Sequence, residues 1–135
     1  MILISFVLLL AVGTLHIYWA FGGKWGSTVA IPTIANSSSP TFRPDRIATL
    51  LVAVVVILDA CLLGMQGDLL PLALPAKLVR WGCILSAIVF ALRCIGDFKY
   101  VGLFKTNRAS RFARYDYFLF TPLCLWLCWT FFYAL

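Results

Sequence analysis

Residues 93–116 read RCIGDFKYVGLFKTNRASRFARYD and form the most highly charged stretch of this chain. The stretch holds six of the eleven basic residues and two of the five acids. Long hydrophobic runs flank it on both sides. A charged, aromatic-rich loop between two such runs is typical of a membrane protein, in which basic loops fix the orientation.

The composition supports a membrane protein over a soluble one. The 135 residues are 63% hydrophobic and 12% charged, whereas soluble domains carry about 25% charged residues. The length fits a single domain over residues 1–135. The net charge of +6 does not indicate nucleic-acid binding, because the basic residues flank apolar runs instead of forming a stripe on a polar fold.

Four apolar segments predict the fold. Each is close to the ~20 residues that a helix needs to cross ~30 Å of hydrocarbon. Helices are expected because unpaired backbone groups find no water there, and no alternating pattern indicates a barrel. We therefore predict an all-α polytopic membrane protein, an antiparallel bundle of four transmembrane helices at about Ile2 to Phe21, Arg46 to Gln66, Lys77 to Ile95 and Tyr115 to Leu135.

The basic residues predict the orientation of these helices. Nine lie in or beside the first and third loops, and only Lys77 and Arg80 lie on the other side. The positive-inside rule then places loops one and three in the cytoplasm and both termini outside.

Asp59 is the only acid deep within an apolar run. It lies 13 residues beyond Arg46, or roughly 20 Å at the helical rise. A lone carboxylate there is costly unless it is paired or protonated. Arg80 enters the third helix from the outer side at a similar depth, so we predict an Asp59–Arg80 pair. Its role as an interhelical clamp or in proton or cation handling stays open.

Several polar and aromatic side chains gather at the predicted cytoplasmic mouth. His16 ends the first helix near Trp19, and it is interpreted as a ligand, a proton carrier or an interfacial residue in an aromatic belt. An acid at the start of the fourth helix also suits the positive end of the helix dipole. The candidate ligand-binding residues are His16, Trp19, Arg93, Asp97 and Asp116.

Four basic residues recur every three positions in the third loop, interleaved with aromatic residues. Such a segment attracts anionic lipid head groups by about 1 kcal/mol per basic residue. Topology alone is the alternative explanation. The candidate head-group residues are Lys105, Arg108, Arg111 and Arg114.

No catalytic, metal or cofactor site is predicted. The five cysteines all lie in apolar segments without a CxxC pair, and one histidine is too few to complete a metal site with them. We interpret them as small core-filling thiols.

Two motifs resemble a known family. His16–Gly26 has the pattern HxYWAxGGxWG, and residues 95–102 read IGDFKYVG. Both are similar to a family of small bacterial four-helix integral membrane proteins that is described as a domain of unknown function. The resemblance implies a membrane fold and no assigned activity, so no catalytic residue carries over.

These observations favour a small non-enzymatic protein of the bacterial inner membrane. It would bind a lipid, a small ligand or a membrane partner at its cytoplasmic mouth. The alternative is an oligomeric, proton-coupled transporter that uses Asp59 or His16. Membrane lipids are the expected partners, and a homo-oligomer or a larger membrane complex stays open.

Overall fold

A computed structural model describes residues 1–31, 45–71, 74–96, 101–106 and 110–135, and every regular element in them is helical. This confirms the all-α prediction. Three of the helices, α1, α3 and α4, are long and apolar enough to cross a membrane. The elements are α1 (Ile2–Ala20), α2 (Ser27–Ala30), α3 (Arg46–Gln66), α4 (Ala76–Ile95), α5 (Arg111–Tyr115), a π-helical segment (Asp116–Phe120) and α6 (Thr121–Tyr133).

The fourth apolar segment begins earlier than predicted and contains a π-helical turn. Pro122 has no N–H, and in an α-helix its ring would crowd the carbonyl group of Phe118. The turn before it widens, and the N–H of Thr121 donates to the carbonyl oxygen of Asp116, five residues back. A π turn holds one residue more than an α turn. Its position just before Pro122 accommodates the proline within a helix that continues to Tyr133.

Neighbouring long helices run in opposite directions. At one end, Trp126 Nε1 of α6 donates to Ser5 Oγ of α1 (2.9 Å), and Gln66 Nε2 donates to the carbonyl oxygen of Ala134 (2.6 Å). At the other end, α2 contacts α5, and Arg93 in the last turn of α4 contacts Asp116. We call this second end the charged end.

The core lies between two helix pairs, because α1 packs mainly on α3 and α4 mainly on α6. Leu9, Leu63, Cys83 and Phe131 are buried where these pairs meet. In the most apolar stretch of α1, only 17% is buried inside the protein. The corresponding share is 28% for α3 and for α4. The remaining apolar surface faces outward, where a lipid bilayer would solvate it.

Candidate functional site

Two glycines turn the third loop back onto the end of α4. Gly96 and Gly102 have φ angles of +80° and +89°, which favour glycine. A Cβ atom on Gly102 would lie 2.5 Å from the carbonyl oxygen of Ile95, so the two backbone segments pack directly. The N–H of Leu103 then donates to the carbonyl oxygen of Cys94 (2.9 Å). Both glycines belong to the IGDFKYVG motif, which gives this motif a structural role.

This return path brings Lys105 and the N–H of Gly102 to the carboxylate that Arg93 of α4 also contacts. Asp116 Oδ1 accepts from Arg93 Nη2 (2.8 Å). Asp116 Oδ2 accepts from Lys105 Nζ (2.7 Å) and from the N–H of Gly102 (2.9 Å). We call these four residues the Asp116 cluster.

The charged members of the cluster differ in how far they are buried. Within the described residues it contains two cations and one acid. The Asp116 and Lys105 side chains are 0% and 3% exposed, whereas that of Arg93 is 32% exposed. Of the three charged side chains, only that of Arg93 is partly exposed.

Two buried polar atoms beside the cluster have no hydrogen-bond partner in the part of the chain that the structure describes. They are Arg93 Nη1 and Thr121 Oγ1. Thr121 follows Asp116 by one π turn, so the two residues lie on the same side of the helix. A buried polar group without a partner costs about 1–3 kcal/mol.

His16 and Trp19 organise the turn after α1 and do not join the Asp116 cluster. His16 Nδ1 donates to the carbonyl oxygen of Val12 (2.8 Å), and the imidazole meets the Trp19 ring edge-on at 5.1 Å. Trp19 Nε1 donates to the carbonyl oxygen of Trp25 (2.7 Å). Across the described residues, no hydrogen bond or ion pair joins His16 to Arg93 or Asp116. Asp97, the other predicted member, lies outside the described residues.

Asp59 is paired with a hydroxyl group instead of the predicted Arg80. Its Oδ1 lies 2.5 Å from Ser86 Oγ, which is also 2.9 Å from the carbonyl oxygen of Gly82. Arg80 is exposed, and the described residues show no ion pair between it and Asp59. Ser86 and Arg80 lie on different faces of α4, which explains why Asp59 meets one and not the other. Ser86 is buried with Val79 and Cys83, whereas Arg80 is turned about 100° from Val79.

The family model described as "Protein of unknown function (DUF3995)" matches residues 9–131. This chain belongs to that family. The match includes the whole Asp116 cluster and Asp59. No curated protein and no solved structure matches the chain.

The basic residues of the third loop occupy different environments in this DUF3995 member. Arg111 and Arg114 are exposed, as head-group contact requires. Lys105 is buried against Asp116 because the Gly96–Gly102 return turns the chain inward. The head-group role predicted for Lys105 from its spacing stays a prediction, and its side chain is 3% exposed here. Arg108 lies outside the described residues.

The cysteines of the DUF3995 chain are all free thiols, and Cys83 and Cys94 are buried. No group of three or more His, Cys, Asp or Glu side chains suited to a metal ion occurs within the described ranges.

Proposed function

We propose that this chain is a non-enzymatic, four-span protein of the bacterial cytoplasmic membrane that binds an anionic ligand at its cytoplasmic mouth. The fourth span would be the helical stretch from Arg111 to Tyr133. Its packing along α4 and its direction support this topology. The nine basic residues in or beside loops one and three support a cytoplasmic location for the charged end.

The ligand proposal rests on the guanidinium group of Arg93, in which one terminal nitrogen is hydrogen-bonded and the other is not. Nη2 binds Asp116, while Nη1 is buried without a partner in the described part of the chain. A guanidinium presents donors in a fixed planar fork that matches the oxygens of phosphate and carboxylate groups. An oxyanion could accept from Nη1 without displacing Asp116, which is bound by Nη2.

The positive charge of Arg93 favours an anion as the ligand. Its Nη1 donor is the one without a partner in the described residues. The phosphodiester group of a phospholipid carries one negative charge and is concentrated at the membrane surface. An anionic phospholipid therefore suits the location and the charge, and a soluble phosphate or carboxylate compound offers the same chemistry.

Native mass spectrometry of the purified protein tests this proposal. The protein would be titrated with phosphatidylglycerol, with zwitterionic phosphatidylcholine and with inorganic phosphate as a competitor. Preferential binding of phosphatidylglycerol identifies a lipid, whereas displacement of it by phosphate indicates a soluble anion.

Arg93→Lys is the decisive variant, because lysine keeps the charge and one bond to Asp116 but loses the fork. A charge-assisted hydrogen bond contributes about 1.5–3 kcal/mol, so binding should weaken about tenfold or more. Arg111→Lys makes the same change at an exposed site and should bind like the wild type. Equal binding by both variants would reject the Arg93 site.

Proton-coupled transport by a homo-oligomer is a second candidate, supported by the position of Asp59 within α3 at the packed α3–α4 seam. Proteoliposomes with an internal pH dye test it. Transport predicts proton flux that Asp59→Asn abolishes. Flux that is unchanged by this substitution, or no flux above empty liposomes, excludes Asp59 as the carrier.

A further inference from the structure

Asp59 lies in the packed seam between α3 and α4, and no described cation forms an ion pair with it. The residue is 8% exposed, and its hydrogen-bond partner is the neutral Ser86. Both ion pairs in the described residues involve Asp116 instead. An ionised carboxylate at this position would have a single hydroxyl to replace its lost hydration.

Counting protons favours the neutral acid. Ser86 Oγ has one proton and two close oxygen neighbours, Asp59 Oδ1 at 2.5 Å and the carbonyl oxygen of Gly82 at 2.9 Å. If Ser86 donates to Asp59, the contact with Gly82 contains no proton. If Asp59 carries a proton and donates it to Ser86, then Ser86 donates to Gly82 and both contacts become hydrogen bonds.

Among the described residues, no ion pair reaches Asp59 from the surrounding helices, and Arg80 of α4 is exposed. Cys83 lies on the same buried face of α4 as Ser86. On α1, His16 lies towards the charged end, beyond Gly13, which packs against Ile57. The titratable side chains of α6 are Cys124, Cys128 and Tyr133, and none of them is basic.

We propose that Asp59 is a proton-binding site, protonated at neutral pH and donating to Ser86. The residue then joins α3 to α4 as a neutral hydrogen-bond donor. The site is independent of the anion site at Arg93, and either proposal can fail alone.

The amino-acid sequence makes a direct test practical. All five acidic residues are aspartates, so labelling aspartate with ¹³C at the side-chain carboxyl group yields five resonances. Leu58–Asp59 is the only Leu–Asp pair in the sequence. Combined labelling of leucine carbonyl groups and of aspartate therefore assigns Asp59 in the wild-type protein, without relying on a variant that folds.

Solid-state NMR in lipid bilayers at neutral pH gives the answer. The expected result is an Asp59 carboxyl resonance at the position of a protonated acid, which shifts in Ser86→Ala. Asp116, which forms ion pairs with Arg93 and Lys105, serves as the ionised reference. An Asp59 resonance at the ionised position at neutral pH would overturn the proposal.

Discussion

Asp59 and Asp116 are both buried aspartates, but their surroundings are opposite. Asp116 accepts from Arg93, Lys105 and the N–H of Gly102. Asp59 meets one serine hydroxyl. Two cations favour the charged form of a carboxyl group, and a site with no cation favours the neutral form. In this protein, the partners of a buried aspartate, more than its burial, determine whether the charged or the neutral carboxyl group is favoured.

The difference follows from where each acid lies along the bundle. Asp116 is at the charged end, where a loop can bring basic side chains from the aqueous side. Asp59 lies within the packed span of α3, where an arginine or lysine on a neighbouring helix would be costly. A serine on the buried face of α4 is the less expensive partner.

Asp116→Asn should have the largest effect on stability, because it removes the carboxylate that forms both ion pairs. It leaves Arg93 and the buried Lys105 without their shared counter-charge. Removing one partner from a buried ion pair costs about 3–5 kcal/mol. We expect a strong loss of thermal stability in detergent, measured by circular dichroism. Wild-type stability would show that the cluster does not hold the loop.

The next largest effect on stability is expected for Gly102→Ala, which disturbs the close backbone packing that turns the loop towards Asp116. The Cβ atom would press on the carbonyl oxygens of Ile95 and Cys94 at a φ of +89°. Backbone strain of about 1–3 kcal/mol adds to the loss of the N–H bond to Asp116.

Gly22→Ala is the matched control for this glycine. Gly22 has a similar φ of +92° but nothing within 4 Å of the added Cβ atom. Its substitution should therefore cost only the backbone strain. Equal melting temperatures for the two variants would contradict the close packing of loop three on α4.

Ser86→Ala should have an intermediate effect, because it removes the partner that Asp59 has within the described residues and leaves the acid buried. An unsatisfied buried polar group costs about 1–3 kcal/mol. Thermal unfolding in detergent measures the loss. Thr14→Ala is a suitable control, since Thr14 also donates to a carbonyl group within its own helix (2.8 Å) but is exposed. It should change stability less than Ser86→Ala does.

From the sequence, the position of Arg93 and Asp116 at one end of the bundle is easier to predict than the partner of Asp59. Charged residues at the ends of hydrophobic runs must lie near a membrane surface, so Arg93 and Asp116 could be placed at the same end. The burial of Lys105 could not be predicted, because it depends on the contact between Gly96 and Gly102. Val79, Cys83 and Ser86 recur on one side of α4, and this helical periodicity identifies Ser86 as the partner of Asp59. Depth in the membrane alone pointed to Arg80, which lies on another side of α4.

Asp59→Asn should have the smallest effect and gives the sharpest contrast with Asp116→Asn. Asparagine has nearly the same shape and can donate to Ser86 as a protonated acid does. If Asp59 is neutral, the substitution should cost less than about 1 kcal/mol, within the range of a single hydrogen bond. The comparison uses the melting temperatures of the two Asn variants under the same conditions. A loss of stability for Asp59→Asn as large as that for Asp116→Asn would mean that Asp59 is also held as a charge, with a cation still to be found.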